Sequence, residues 1–121
     1  MEKNLISYLL PEELLEHFNI VSIQETGDAS QAQGVLHILL EEKNILPYGY
    51  QQSLYESKGF YESSEIEDFP IRGRKVLLKL RRRRWRDKAT KREEIQNDFS
   101  FIAEGCKITQ ELAVFLKGIG R

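Results

Sequence analysis

Residues 72–92 hold twelve bases and a single acid, Asp87, and the first half of that run alternates apolar and polar side chains. Val76, Leu78 and Leu80 recur at every second position, which is the period of a strand with one buried side. Leu77, Lys79, Arg81, Arg83 and Trp85 fall on the opposite side. A strand over Arg74–Trp85 is therefore the firmest constraint on the fold. Its apolar start has to sit in a core, and the four arginines Arg81 to Arg84 are expected to carry it out into solvent.

The flanking sequence supplies partners for that strand. Leu5, Ile6, Leu9 and Leu10 stand at helical spacing, and Pro11 can begin a second helical piece with Glu12 and Glu13 in its first turn. Leu14, Leu15 and Phe18 continue the apolar face, which ends near Asn19. Ile20, Val21 and Ile23 read as a strand, Gly27, Asp28, Ser30 and Gly34 as a loop, and Val35–Leu40 as a buried strand. Residues 20–42 thus predict a hairpin. Pro47, Gly49 and Gly59 break the next stretch into a loop, with one helical turn over Gln51–Ser57. A strand follows over 61–69, then a turn at Pro70–Gly73 that makes a basic hairpin with Arg74–Trp85.

Residues 86–96 are charged throughout and are expected to form a mobile loop. Phe99, Phe101 and Ile102 suggest one more short strand. Thr109 reads as the N-cap of a closing helix with Leu112, Ala113, Phe115 and Leu116 on its apolar stripe, ended by Gly118 and Gly120. The whole predicts one α+β domain over 1–121, with a small, mainly antiparallel sheet and helices at both ends. It divides into an acidic helix-plus-hairpin half (1–68), the basic hairpin (69–92) and a C-terminal strand and helix (97–118).

A chain of 121 residues, 40% of them hydrophobic, can bury one core and is not disordered. The one cysteine, Cys106, cannot form an internal disulfide, which suits a reducing cytoplasm. No apolar stretch approaches the roughly 20 residues of a membrane span, and no signal-peptide pattern opens the chain. A soluble, cytoplasmic protein is expected. Catalysis is not: His17 and His37 lie far apart with no acid or cysteine beside them, and no Gly-rich phosphate loop is present. One cysteine and two distant histidines make no tetrahedral metal site, so neither metal nor cofactor is expected.

The charge is sharply divided along the chain. Residues 1–71 hold thirteen acids against three bases, a balance of −10, whereas 72–92 stand at +11 and 93–121 at −2. Two readings compete for the basic run. It can bind a polyanion, since each phosphate met by Lys or Arg releases condensed counterions, and arginine forks suit phosphate and guanine. It can equally pair with the acidic half of its own domain or blunt a strand edge. The density of the run, without alternating signs, favours the polyanion. Trp85 either stacks on a base or plugs the sheet edge.

The run Asp68-Phe69-Pro70-Ile71-Arg72-Gly73-Arg74-Lys75-Val76-Leu77-Leu78-Lys79-Leu80-Arg81-Arg82-Arg83-Arg84-Trp85 resembles the amino-terminal region of bacterial insertion-sequence transposases. There a D-L-P-x-x-G-R-x-V-x-L-x-L-x-x-R-R-[FW] stretch leads into a zinc-binding knuckle. Leu9-Leu10-Pro11-Glu12, Val35-Leu36-His37-Ile38 and the Thr109–Leu116 helix are similar to the flanking parts, most closely in elements that encode this region as a separate short reading frame. The cysteine pairs of the zinc-bearing relatives are replaced here by Arg86-Asp87-Lys88-Ala89-Thr90-Lys91. The resemblance therefore implies a zinc-ribbon-like hairpin held by packing, without zinc.

It also implies a DNA-binding accessory protein that recognises the terminal inverted repeats of its element, on the nucleoid. Strand transfer would be left to a catalytic transposase polypeptide, and a homodimer is left open. Arg72, Arg74 and Lys75 at the hairpin tip, Lys79, Arg81, Arg82, Arg83, Arg84, Trp85 and Arg86 along the strand, and Lys88, Lys91 and Arg92 beyond it are the expected DNA contacts. The alternative is a protein-interaction module that docks the catalytic subunit.

Overall fold

A computed structural model describes residues 10–27, 34–71, 73–92, 95–100 and 109–117. In chain order the elements are α1 (Glu12–His17), β1 (Phe18–Thr26), β2 (Val35–Glu42), a 3₁₀ turn (Gln52–Leu54), β3 (Tyr55–Phe60), β4 (Ser64–Ile71), β5 (Arg74–Arg81), β6 (Arg83–Asp87) and α2 (Gln110–Leu116). The protein is α+β, with a small, mostly antiparallel sheet and a helix towards each end. Four strands make the main sheet in the order β1-β2-β5-β4, and β3 and β6 form a separate two-stranded ribbon.

The predicted hairpin is present, Phe18 facing Glu42 and Thr26 facing Val35. A register shift between Ile20 and Ser22 lets Ile20 and Ile23, three positions apart, both pack against the core. An extra residue in a strand resets the alternation of faces in this way. The centre of the sheet is a parallel pair, β2 on β5, which seats Leu36, Ile38 and Leu40 beside Val76, Leu78 and Leu80. Those six side chains are all buried. Leu10 and Leu14 from the α1 end, Phe99, and Leu112, Phe115 and Leu116 of α2 complete the same cluster. Each such side chain contributes about 1.5–3 kcal/mol by leaving water.

Thr109 caps α2 as expected: its Oγ1 accepts the Leu112 N–H at 3.3 Å. The same hydroxyl donates to the Glu67 carbonyl at 3.0 Å, and the Glu67 N–H donates to Glu111 Oε2 at 2.6 Å. The first turn of α2 therefore occupies the outer edge of β4, where Pro70, lacking an N–H, is also tolerated. Ile71 pairs with Arg74 across a turn at Gly73, whose φ of 78° is the left-handed conformation that glycine adopts without strain.

Four expectations are corrected. The strand Arg74–Trp85 is two strands, broken at Arg82, where the chain passes from the main sheet to the ribbon. The break also reverses the face of Trp85, which is 1% exposed. The stretch 44–59 contains, beyond its single 3₁₀ turn, nearly all of a strand, β3; Glu56, Lys58 and Gly59 disguise it, and none of its residues is fully buried. The strand expected over 61–69 begins only at Ser64 and runs to Ile71. Residues 86–96 are no uniform loop: Arg86 and Asp87 belong to β6, and Ile95 is buried and bridges back to Trp85.

Phe99 is buried outside any strand. Its predicted companions Phe101 and Ile102 lie outside the described residues, as do Leu5, Ile6, Leu9, Asp28, Ser30, Arg72, Cys106, Gly118 and Gly120.

Candidate nucleic-acid interface

The parallel register of β2 and β5 decides where the basic run goes. It sets Glu41 opposite Arg81, and the Arg81 guanidinium donates to Glu41 Oε2 at 2.9 Å. One residue on, Glu42 and Arg82 are 1% and 5% exposed. Arg82 Nε donates to Glu42 Oε1 at 3.2 Å, and Arg82 also donates to the Asn97 carbonyl at 2.6 Å. Its guanidinium lies 4.8 Å from the Phe99 ring centre. Glu42 further accepts the Arg83 N–H at 3.0 Å and Asn97 Nδ2 at 2.8 Å. A buried charge survives only with such pairing.

The next arginines are used in the same way. Arg83 donates to the Glu42 carbonyl at 3.0 Å and Ser57 Oγ at 2.8 Å, with its guanidinium 4.6 Å from the Phe60 ring centre. Arg84 lies 5.7 Å from the Tyr61 ring centre. Arg86 donates twice to Glu56 Oε1, at 2.9 and 2.6 Å. Near the other end of the run, Arg74 pairs with Glu25, and Lys75 approaches Glu67 at 3.7 Å. The expectation that Arg81 to Arg84 run out into solvent is thus corrected: Arg82 is buried and the other three are half-buried. Trp85 takes the packing role, its indole N–H donating to Asn44 Oδ1 at 2.8 Å.

The remaining described cations stand elsewhere. Lys79 is exposed on the open face of β5. Lys88, Lys91 and Arg92 are exposed on a turn that Asp87, the one acid of the run, builds. Its carboxylate accepts the Ala89 and Thr90 N–H groups at 2.8 and 3.0 Å, while its carbonyl accepts Lys91 N–H at 2.8 Å and its own N–H donates to the Arg92 carbonyl at 3.0 Å. Lys91 sits at φ 63°, a conformation that non-glycine residues adopt only where the surroundings enforce it. Asp87 at the head of an Asp-x-x-Thr stretch is the sequence signal that could have marked this turn.

This turn ends the β3–β6 ribbon. Lys88 donates its backbone N–H to the Leu54 carbonyl at 3.0 Å and its Nζ to the Ser53 carbonyl at 2.9 Å. The Arg86 hydrogen bond holds the Glu56 carboxyl below its usual range, with Lys91 and Lys58 acting in the same direction through their charge. Beside them Tyr50 meets Tyr55 edge-on at 5.4 Å, and Ile45, Tyr48, Tyr50 and Leu54 are exposed. The sequence does not join these tyrosines to the lysines, because the pairing of β3 with β6 is not legible in it.

A shallow groove between β4 and α2 is lined by Ser64, Glu65, Ile66, Gln110, Glu111, Val114 and Phe115, and the Glu111 carboxylate there already caps β4. No group of three His, Cys, Asp or Glu among the described residues is placed to hold a metal ion. The stretch Arg86–Lys91 offers no thiolate or imidazole, and its one carboxylate, Asp87, accepts N–H groups of its own turn. No helix among the described residues is long and apolar enough to cross a membrane. Compared with models of protein families, with curated proteins and with solved structures, the chain gives no significant match in any of the three.

Proposed function

We propose that this chain is a DNA-binding, non-catalytic accessory or amino-terminal protein of an insertion-sequence transposase, acting at the element ends beside a catalytic polypeptide. In this reading the hairpin is zinc-ribbon-like but closed by the Asp87 carboxylate instead of a metal. One observation supports it above the others: Arg81, Arg82 and Arg86 pair with acids of the same domain, whereas Lys88 and Lys91 are exposed together on the turn that Asp87 closes. A two-stranded ribbon with a basic end is of a size to enter a major groove. The contact surface in this reading is the ribbon end and not the arginine strand, with the exposed Lys79 as a further phosphate contact.

The test is fluorescence anisotropy with short duplexes, carrying either the terminal repeats of the element or a scrambled sequence, across a salt series. Lys88→Ala with Lys91→Ala is expected to weaken binding to every duplex. It should also flatten the dependence of log K on log salt by about 0.9 per lost phosphate contact. Asp87→Ala, which loosens the turn and leaves its lysines in place, should weaken binding less. Absence of duplex binding at low salt, or an unchanged salt slope in the double variant, refutes the reading.

A further inference from the structure

We propose that the ribbon end takes unpaired bases, with Tyr48 and Tyr50 as stacking platforms and Lys88 and Lys91 against the phosphates of the same strand. The inference rests on the DNA reading above and narrows it to DNA whose bases are open, such as a frayed or melted end.

Tyr48 is fully exposed. It stands at the crown of a turn closed by the Tyr50 N–H donating to the Pro47 carbonyl at 3.2 Å, with Gly49 at φ 98° supplying the left-handed residue. An aromatic ring held out on a hydrogen-bonded turn contributes nothing to the core. Tyr50 is steadied by its edge contact with Tyr55, which pairs across the ribbon with Asp87, the residue that starts the lysine turn. Lys88 is anchored to the Ser53 and Leu54 carbonyls on the continuation of the tyrosine turn. Aromatic faces and ammonium groups therefore share one end of one ribbon. In a duplex the base faces are covered by their neighbours and cannot use a tyrosine ring. A single strand presents both an open face and its phosphates, which is the pairing of stacking and charge that single-strand binders employ.

The experiment compares an unstructured thymidine oligonucleotide with a duplex of equal length by anisotropy at matched salt, following quenching of tyrosine emission in parallel. The single strand is expected to bind tighter than the duplex and to quench tyrosine. Tyr48→Ala, which removes no packing contact, should lower single-strand affinity about tenfold and leave duplex affinity unchanged, while Tyr48→Trp retains the affinity. Duplex binding equal to single-strand binding, with Tyr48→Ala silent on both, overturns the stacking proposal and leaves the DNA reading standing. Failure of both nucleic acids to bind at low salt overturns the two together, and would fit a protein partner on the same exposed apolar patch.

Discussion

Glu42→Ala is the most demanding test of how the basic run is held. The carboxylate receives Arg82 Nε, the Arg83 N–H and Asn97 Nδ2 at 3.2, 3.0 and 2.8 Å, and both members of its ion pair are buried. Removing it leaves the Arg82 guanidinium in a low-dielectric site without its counter-charge. Breaking one side of such a pair costs about 3–5 kcal/mol, about a fifth or more of what holds a domain of this size together. With roughly 3–5 °C per kcal/mol for such a chain, the Tm should fall by roughly 10–25 °C. Replacing both partners, Glu42→Leu with Arg82→Met, removes the orphaned charge. That leaves the Arg83 N–H short of an acceptor, while Asn97 Nδ2 keeps its bond to the Ile45 carbonyl. The double variant should therefore stand within about 2 kcal/mol of the parent.

Urea unfolding followed by Trp85 fluorescence measures all three proteins, since that ring is buried on the adjoining strand. A single variant that costs less than about 1 kcal/mol, or a double variant as unstable as the single one, refutes the reasoning. The same logic separates fold from contact. Arg82→Ala should lose DNA affinity only in proportion to the protein unfolded, with the salt slope of the folded fraction unchanged.

Two other sites give independent checks. Burial raises the Asp68 carboxyl above its ordinary value, against the opposing pull of the Phe69 N–H. The folded chain then holds that proton more tightly than the unfolded one, so Asp68 erodes stability as pH rises from its unfolded value through its folded one. Asp68→Asn should raise the Tm at neutral pH and bring little gain near pH 3, where both states are protonated, to within about a pH unit; an equal gain at both ends contradicts this. Thr109→Val removes the acceptor for the Leu112 N–H and the donor to Glu67, and should cost about 1–2 kcal/mol in urea unfolding, with Thr109→Ser restoring most of it. A cost within error of zero would mean that the cap and the edge contact carry no weight.

What the sequence revealed depended on whether a signal was local. The β1–β2 hairpin, the Val76-Leu78-Leu80 face and the Thr109 cap are written in spacings of two to four residues, and each is present. The period of two does put Arg82 on the core face after Val76, Leu78 and Leu80, but the sheet change there is hidden, because the acid that lets an arginine be buried lies forty residues earlier, at Glu42. Only the parallel pairing of β2 with β5 lines up Glu41 and Glu42 with Arg81 and Arg82, and such pairings are set by global packing, not by local pattern. β3 was illegible for a related reason: it is held by β6 on one side, and its own residues read as a turn. At the candidate site the charge was plain in the sequence, but its division between internal acids and the Asp87 turn was not. That division follows from the tertiary register.

The parallel pairing at the centre of the sheet also orders events while the chain is being made. β2 emerges with Leu36, Ile38 and Leu40 already patterned for burial, yet the strand that closes its open side ends at Arg81, forty residues after Glu41. At 5–20 residues per second that interval is about 2–8 s. Throughout it the nascent hairpin shows an unpaired strand edge whose acidic tip, Glu41 and Glu42, lacks its arginines. Those two carboxylates, of which only Glu42 is buried in the finished fold, give the waiting edge a like charge that opposes edge-to-edge pairing between neighbouring chains.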